Sequence, residues 1–343
     1  MAAAGTIADV TILIVAYESA FHWPRLKAAL AAQTVPPARI LVLENGSQHA
    51  RLSPDDVPGG IELVLSDTNL GFAAGNNRLA AMAGTRWLVL LNPDAFPAPD
   101  WLEQLMAAAQ RYSHASLFGS TQRADGHEGV LDGAGDVYHI TGIPYRGAYG
   151  REMASPPDGE IFAPCAAAMM IRRDVFEALG GFDEDYFCYV EDVDLGARAR
   201  LAGHSAMHVQ QAVVDHVGYG SSGRRSVFAT YHGTRNRLWT YLKIMPLPLL
   251  VLTLPMHVAM TLALWASAAR FGHFTLFGGA LADALKGLAH LWTKRRAAQS
   301  GRVAATAEFA RLLAWNPLDL LTRRPLVRPA GAGTGQQPPQ RPA

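Results

Sequence analysis

Three groups of residues have the types and spacing to do chemistry. The first is Asn92-Pro93-Asp94, which closes the apolar run Trp87–Leu91. Pro93 removes a ladder donor and fixes its own φ, so a strand must stop there and the next carboxylate must point off the sheet edge. Ligands of open α/β sheets sit beyond the carboxyl ends of the strands, which aims Asp94 at a ligand crevice. The competing reading is a turn followed by a helix cap. The second group is Glu191, Asp192 and Asp194, which follow the aromatic stretch Tyr186-Phe187-Cys188-Tyr189-Val190. Carboxylates in a first helical turn are ordinary dipole partners. At the edge of an apolar wall, however, a carboxylate loses solvent, its pKa rises, and it becomes a better general base. The third is His216, at the end of the short strand Ala212–His216. Alone it reads as a structural histidine. Joined to one carboxylate and to diphosphate oxygens, it suits Mn2+ or Mg2+, either of which would neutralise a departing diphosphate.

Weaker signals surround these. Asn69-Leu70-Gly71-Phe72-Ala73-Ala74-Gly75-Asn76-Asn77-Arg78 reads as a phosphate or nucleoside cradle, although glycine spacing alone is weakly specific. Tyr17 could stack on a base or simply close the edge of the core. Glu44 could accept the hydrogen bond of a pyrimidine imide or serve as a turn acid.

The elements that must position these groups alternate at short spacing. Strands are expected at Val10–Ala16, Arg39–Leu43, Ile61–Leu65 and Trp87–Leu91. Helices should follow to about Gln33, capped by Ser19 or Glu18, then to about Gly84, then through Trp101, Leu105 and Ala108. That makes the first 115 or so residues a parallel, nucleotide-binding α/β unit. From about Ser116 to Glu160 glycines and polar residues dominate, which predicts hairpins or a mobile loop over the crevice. Ile161–Ile171 is strand-like, Arg173–Leu179 helical with a Gly180-Gly181 stop, and the helix opened near residue 191 should close at Gly203.

Composition narrows the class. The 343 residues carry 30 basic and 29 acidic side chains, a net charge of +1, which leaves no nucleic-acid footprint. Half are hydrophobic and 17% charged, an apolar balance that hints at lipid contact. Cys165 and Cys188 have no metal-ligand or disulfide spacing, which suits a reducing compartment. The amino terminus lacks the basic segment of a secretory signal, so the catalytic half is expected in the cytoplasm.

Taken together, VTILIVAY, ILVLENGS, NLGFAAGNN, LLNPDA, AAAMMIRRDVFEALGGFDEDYFCYVEDVDLGAR and His216 before GYGSSG resemble the family-2 glycosyltransferases with a GT-A fold. The bacterial branch with rhamnosyltransferases of surface-polysaccharide assembly is the nearest in pattern. The resemblance implies an α/β fold, a mostly parallel sheet flanked by helices, over residues 9 to 240. It implies that Tyr17 and Glu44 contact the nucleoside of a nucleoside-diphosphate sugar, with Asn69, Gly71 and Asn76 near them. Asn92-Pro93-Asp94 would stand for the family's Asp-x-Asp element, with Asp94 and His216 holding the metal and Asp192 acting as base in an inverting transfer. The pattern departs at Glu18, where many relatives have Asn, at Glu44 in place of Asp, and at Asn92 in place of Asp. The alternatives are a silent membrane-bound carbohydrate-binding or assembly subunit, and a nucleotidyltransferase that would release pyrophosphate.

The last third has another character. Ile244–Ala269 is a run of 26 residues without Asp, Glu, Lys or Arg, longer than the roughly 20 needed to cross a bilayer. Pro246, Pro248 and Pro255 are expected to break it, leaving Met256–Ala269 too short to span. Phe277, Leu281, Leu285, Leu288 and Trp292 then recur at helical spacing, with Asp283, Lys286, His290 and Lys294 opposite. That predicts a basic amphipathic helix lying on the cytoplasmic leaflet, beside a lipid-linked glycan acceptor. Its alternatives are a true span of the bilayer and a helix pair buried between two copies of the chain, a homo-oligomer. The resulting division is residues 1–240 catalytic, 241–300 membrane-associating, 301–327 a helical extension, and 328–343 a disordered tail.

Overall fold

The computed structural model describes residues 7–57, 59–218 and 226–330. The apolar runs become β1 (Ala8–Ala16), β2 (Pro37–Asn45), β3 (Ile61–Ser66) and β4 (Trp87–Leu91), mutually parallel in the order β4-β1-β2-β3. Successive side chains of a strand point to opposite faces. Ile12, Ile14, Val89 and Leu91 therefore join one core, and Leu13, Val15, Leu88 and Leu90 the other. Burial on both faces is why these strands read as unbroken apolar runs. Helices α1 (Trp23–Ala31), α2 (Gly71–Ala80) and α3 (Trp101–Arg111) cover the faces.

Ser19 and Glu18 do not cap the first helix. A 3-10 turn (Ala20–His22) precedes α1, and Ser19 makes no capping bond. The Glu18 carboxylate instead accepts the N–H groups of Gln48 and Ala50, at 2.5 and 2.7 Å. These bonds hold its pKa below the usual value.

The stretch expected to be loops contains a central strand. After β5 (Ala95–Pro97), β6 (Ala115–Ala124) lies between β13 (Ser205–His216), which it pairs in parallel, and β12 (Ala168–Arg172), which it pairs antiparallel. β12 also pairs antiparallel with β4, so it joins the two halves of the sheet. Beyond β6 the chain does form short pieces: β7 (Val130–Gly133), the hairpin β8 (Asp136–Tyr138) and β9 (Pro144–Arg146), β10 (Arg151–Glu152) and β11 (Gly159–Glu160). α4 (Arg173–Ala178) ends at Gly180 and Gly181, both at positive φ, and α5 (Glu191–Leu201) ends before Gly203.

α6 (Val227–Ile244) passes straight through residue 240. Arg235 and Lys243, which precede the apolar segment in sequence, face the protein. Lys243 is buried and ion-paired to Asp183 at 2.7 Å and to Asp194 at 2.9 Å. α7 (Leu247–Ala268) is one continuous helix with Pro255 inside it, against the expected break. Its Leu249, Leu250, Thr253, His257 and Thr261 are buried against the catalytic domain. That packing carries the helix through the hydrogen bond that Pro255 removes. The apolar stripe after it is two helices, α8 (Phe274–Lys286) and α9 (Leu288–Ser300), which meet at Gly287. His290 and Lys294 are spent on Asp183 and Asp185 of the catalytic domain, so that face is not directed to a membrane. α10 (Thr306–Leu312) and α11 (Leu318–Thr322) follow. β14 (Arg328–Pro329) adds to β11, so the tail is ordered at its start, and residues 331–343 lie outside the described ones.

Candidate active site

The carboxyl ends of β1 and β4 open into a cavity of about 910 Å3. Tyr17, Asn69, Gly71, Asn92, Asp94, Asp192 and His216 all line it. Residues separated by more than a hundred positions in sequence thus converge at one sheet edge.

Asp94 and His216 meet through strand register. β5 pairs with the end of β13 so that Ala95 lies opposite His216, and the Val217 N–H donates to the Asp94 carbonyl at 3.1 Å. His216 Nε2 then stands 3.4 Å from an Asp94 carboxylate oxygen. Its Nδ1 is 2.7 Å from Asp132 on β7. Asp132 is itself ion-paired with Arg146 on β9. Nε2 is buried and, among the described residues, has no hydrogen-bond partner. Burial lowers the pKa of this imidazole, but the carboxylates of Asp132 and Asp94 outweigh that and lift it to about 9. Burial works against ionisation of Asp94, yet the neighbouring imidazole holds its pKa below the usual value. With an ion displacing the proton from Nε2, an imidazole fixed from behind by a carboxylate, beside a second carboxylate, makes a fitting pair of donors for a divalent cation.

Glu191 and Asp192 begin α5 and are treated differently by the fold. Asp192 accepts the N–H groups of Ala166 at 3.1 Å and Val193 at 2.8 Å. Glu191 is buried with one carboxylate oxygen unpartnered among the described residues. Desolvation raises both, and Glu191, beside Asp192, rises well above its usual value. Of the two, Glu191 holds a proton the more readily and Asp192 ionises the more readily. Asp194 is structural: fully buried, it pairs with Arg198 at 2.7 Å and with Lys243. Asp136 and Cys165 also approach Asp192, with donor atoms of the three within 4.8 Å. Burial pushes the Asp136 carboxyl and the Cys165 thiol well up, so both face Asp192 as neutral groups.

The loop that delivers Asp192 is strained. Phe187, Tyr189 and Val190 all have positive φ, at 62°, 72° and 71°, a region that costs non-glycine residues roughly 1–2 kcal/mol each. Asn236 on α6 holds it in place. Its side-chain amide donates to the carbonyls of Tyr186, Cys188 and Tyr189 at 2.8–2.9 Å. Arg235 adds a bond to the Asp185 carbonyl at 2.7 Å.

Two expected nucleoside ligands are placed elsewhere. Glu44 is fully buried and does not line the cavity; its carboxylate accepts the N–H groups of Ser47 and Leu52, each at 2.8 Å. Its extra methylene lets it brace the turn after β2. Asn76 is buried within α2 and donates to the Phe72 carbonyl at 2.9 Å. Nor are the α2 amides a free phosphate cradle, because the Phe187 carbonyl takes the N–H groups of Phe72 and Ala73 at 2.7 and 3.2 Å. Gly71, at φ +80°, is required because a Cβ there would lie 2.6 Å from that carbonyl oxygen. Asn69 braces the same corner, accepting from Asn45 at 3.0 Å and from the Gly71 N–H at 2.8 Å. Asp132, Arg146 and Asn236 were absent from the sequence reading. Asn236 stood in view between two arginines, but only the folded loop shows what it holds. GYGSSG lies largely outside the described residues.

Known proteins share the fold and the sequence pattern of this chain. Residues 11–180 match the model of glycosyl transferase family 2. The chain is 30% identical over 249 residues to the N-acetylglucosaminyl-diphospho-decaprenol L-rhamnosyltransferase of Mycobacterium tuberculosis, covering 64% of this chain and 80% of that one. It is 29% identical over 216 residues to the O-antigen biosynthesis protein RfbC of Myxococcus xanthus, covering 58% of this chain and 16% of that one. Among solved structures, the mannosyltransferase PcManGT from Pyrobaculum calidifontis with GDP-Man and Mn2+ superposes with a TM-score of 0.53 at 16% identity, over 89% of this chain and 86% of that one. GalNAc-T7 with UDP, GalNAc and Mn2+ gives 0.53 at 13% identity, over 68% and 47%. The sheet carries the GT-A arrangement and the sequence carries the family's pattern over the same residues, so this chain belongs to glycosyl transferase family 2 and is a sugar-transferring enzyme that resembles rhamnosyltransferases.

Proposed function

We propose that the chain transfers a sugar, with rhamnose the first to test, from a nucleoside-diphosphate donor to a lipid-linked glycan with inversion at the anomeric carbon. The observation that carries this reading is the convergence of Asp94, Asp192 and His216 on one cavity, with Asp132 buttressing the imidazole. Asp94 and His216 would hold Mn2+ or Mg2+. When bound, such an ion supplies charge neutralisation for a departing diphosphate. Asp192 takes the proton of the acceptor hydroxyl as that oxygen attacks the anomeric carbon, and the nucleoside diphosphate leaves from the opposite face. One base suffices for this displacement, whereas a glycoside hydrolase needs a second carboxylate flanking the bond. Tyr17 stacks on the base, with Asn69, Gly71 and Asn92 around the nucleotide. The name of the mycobacterial relative, which ends its acceptor in diphospho-decaprenol, supports a lipid-linked acceptor.

The membrane reading follows from α7. Leu247–Phe271 is long and apolar enough to cross a bilayer. Its buried stripe from Leu249 to Thr261 nevertheless runs about 18 Å along the catalytic domain. A helix held side-on over that length would drag Arg237, bonded to Thr261 at 3.0 Å, into hydrocarbon if it crossed. We therefore read α7 as lying in the interface of the cytoplasmic leaflet, where anchoring raises the local concentration of a lipid-borne acceptor.

The test is a panel of nucleoside-diphosphate sugars offered with a lipid-linked acceptor, with and without Mn2+ or Mg2+. Mass analysis should find one sugar added to the lipid, dependent on the ion, with nucleoside diphosphate released. Pyrophosphate as the product would assign the chain to nucleotidyl transfer instead.

A further inference from the structure

We propose that Arg296 and Arg302 form a binding site for the phosphate headgroup of an anionic membrane lipid, at the amino-terminal end of the lipid-facing side of α7. This rests on the interfacial reading of α7 and adds to it a specific recognition element. A second cavity, of about 390 Å3, lies where Leu247 and Pro248 meet α9 and the turn after it. Trp292, Arg295, Arg296 and Arg302 complete most of its wall. The three arginines differ in what they already bind. Arg295 is buried and committed, donating to the carbonyls of Leu242 and Met245 at 2.5 and 2.8 Å, which closes the end of α6. Arg302 makes one bond, to the Thr306 hydroxyl at 2.8 Å. Arg296 is exposed, and among the described residues neither Arg296 nor Arg302 has a carboxylate partner. Nothing acidic is near in sequence: between Asp283 and Glu308 the chain carries Lys286, Lys294, Arg295, Arg296 and Arg302 and no acid.

The apolar surroundings specify an amphiphile. Leu247, which lines the cavity, is 61% exposed and begins the series Leu247, Val251, Leu254, Val258 and Leu262, all exposed at three- and four-residue spacing. Those residues share one helix face, which runs beside the buried stripe. Trp292, 46% exposed, lines the same cavity as the arginines, and tryptophan favours the boundary between headgroups and chains. A ligand with acyl chains along the stripe and a phosphate between two guanidinium forks satisfies both halves of this surface. A free phosphate would satisfy one. The site is separate from the catalytic cavity, with which it shares no lining residue.

Vesicle co-sedimentation of the full chain tests this, comparing phosphatidylcholine alone with phosphatidylcholine containing about one-third phosphatidylglycerol. Wild-type protein should prefer the anionic vesicles, and each arginine should account for about five-fold of that preference. Arg296→Gln/Arg302→Gln should lose about thirty-fold in binding to the anionic vesicles and bind phosphatidylcholine as before, with unchanged thermal melting. Arg296→Lys/Arg302→Lys should regain only part of the preference, since lysine restores charge without the fork. An anionic preference retained by the glutamine pair, a lysine pair equal to wild type, or displacement from vesicles by inorganic phosphate alone would each overturn the proposal. The membrane reading beneath it is tested apart, by Val251→Glu/Val258→Glu, which should abolish binding to both vesicle types. Undiminished binding by that variant would sink the interfacial placement of α7 whatever the arginines do. Sugar transfer to a soluble acceptor should be the same in the glutamine pair as in wild type.

Discussion

Burial strips water from Glu191 and Asp192 alike, but Asp192 accepts the N–H groups of Ala166 and Val193 while Glu191 rises well above its usual value, and that difference favours Asp192 as the proposed base. Asp192→Asn keeps the shape and removes the proton acceptor. It should cut turnover by about 10²–10⁴-fold while donor affinity, read by calorimetry, stays near wild type. Asp132 acts through another residue, by holding His216 Nδ1 so that Nε2 faces Asp94. Asp132→Asn should weaken Mn2+ binding by roughly 10–100-fold in a direct titration without unfolding the protein. Asp94, Asp192 and His216 were legible in sequence because each ends or begins a patterned element. Asp132 and Arg146 were not, since they sit in a glycine-rich stretch where no periodicity assigns a side chain to a face. Glu44 misled because a carboxylate at a strand end looks the same whether it meets a ligand or two N–H groups of its own turn.

At the scale of elements, the catalytic domain depends on a helix that begins after it was expected to be nearly complete. α6 reaches back with Asn236 to hold three carbonyls of a loop whose residues stand at positive φ. Asn236→Ala leaves those carbonyls without that donor, at a cost of about 1–3 kcal/mol, and lets the loop relax from its strained form. The expected outcome is a fall in kcat with little change in the donor KM, since the base moves and the nucleotide contacts do not. Equal losses in kcat/KM and melting temperature across unrelated cavity variants would instead mark Asn236 as a general stabiliser. The parallel strands β1 to β4 were readable because burial on both faces demands apolar residues at every position. β6 escaped notice because ASLFGSTQRA mixes small and polar residues; Gly119, for one, lies where a Cβ would come 2.9 Å from Pro164. α7 was broken on paper at Pro255, since the sequence does not reveal that tertiary packing will hold the turn on either side.

The whole molecule is a catalytic sheet with a helical collar, and both have buried neutral histidines. Burial lowers the pKa of His208 and His257 to about 4, against 6.5 for the free side chain. Both are almost fully enclosed, His208 within β13 and His257 stacked on Tyr241 at 3.8 Å. Between these pH values the unfolded chain binds protons that the folded histidines refuse, so the contribution of these two is full above about 6.5 and falls as the pH drops toward about 4. Each histidine contributes on the order of 3 kcal/mol to that loss. Denaturant titrations across this window should show the decline, and His257→Gln should flatten its slope; a pH-independent stability there would contradict the burial argument. Because His257 belongs to α7, the same titration reports on the seam between catalytic domain and collar.

The central claim is that the cavity joining Asp94, Asp192 and His216 performs sugar transfer with a single base. It is tested most directly by measuring product formation with wild-type and Asp192→Asn proteins side by side, using the productive donor, a lipid-linked acceptor and Mn2+. The account predicts that wild type releases one nucleoside diphosphate for each sugar added, with the anomeric configuration inverted, while the variant binds donor but yields almost no product. Wild-type rates from Asp192→Asn, or a product that retains the donor's configuration, would contradict it.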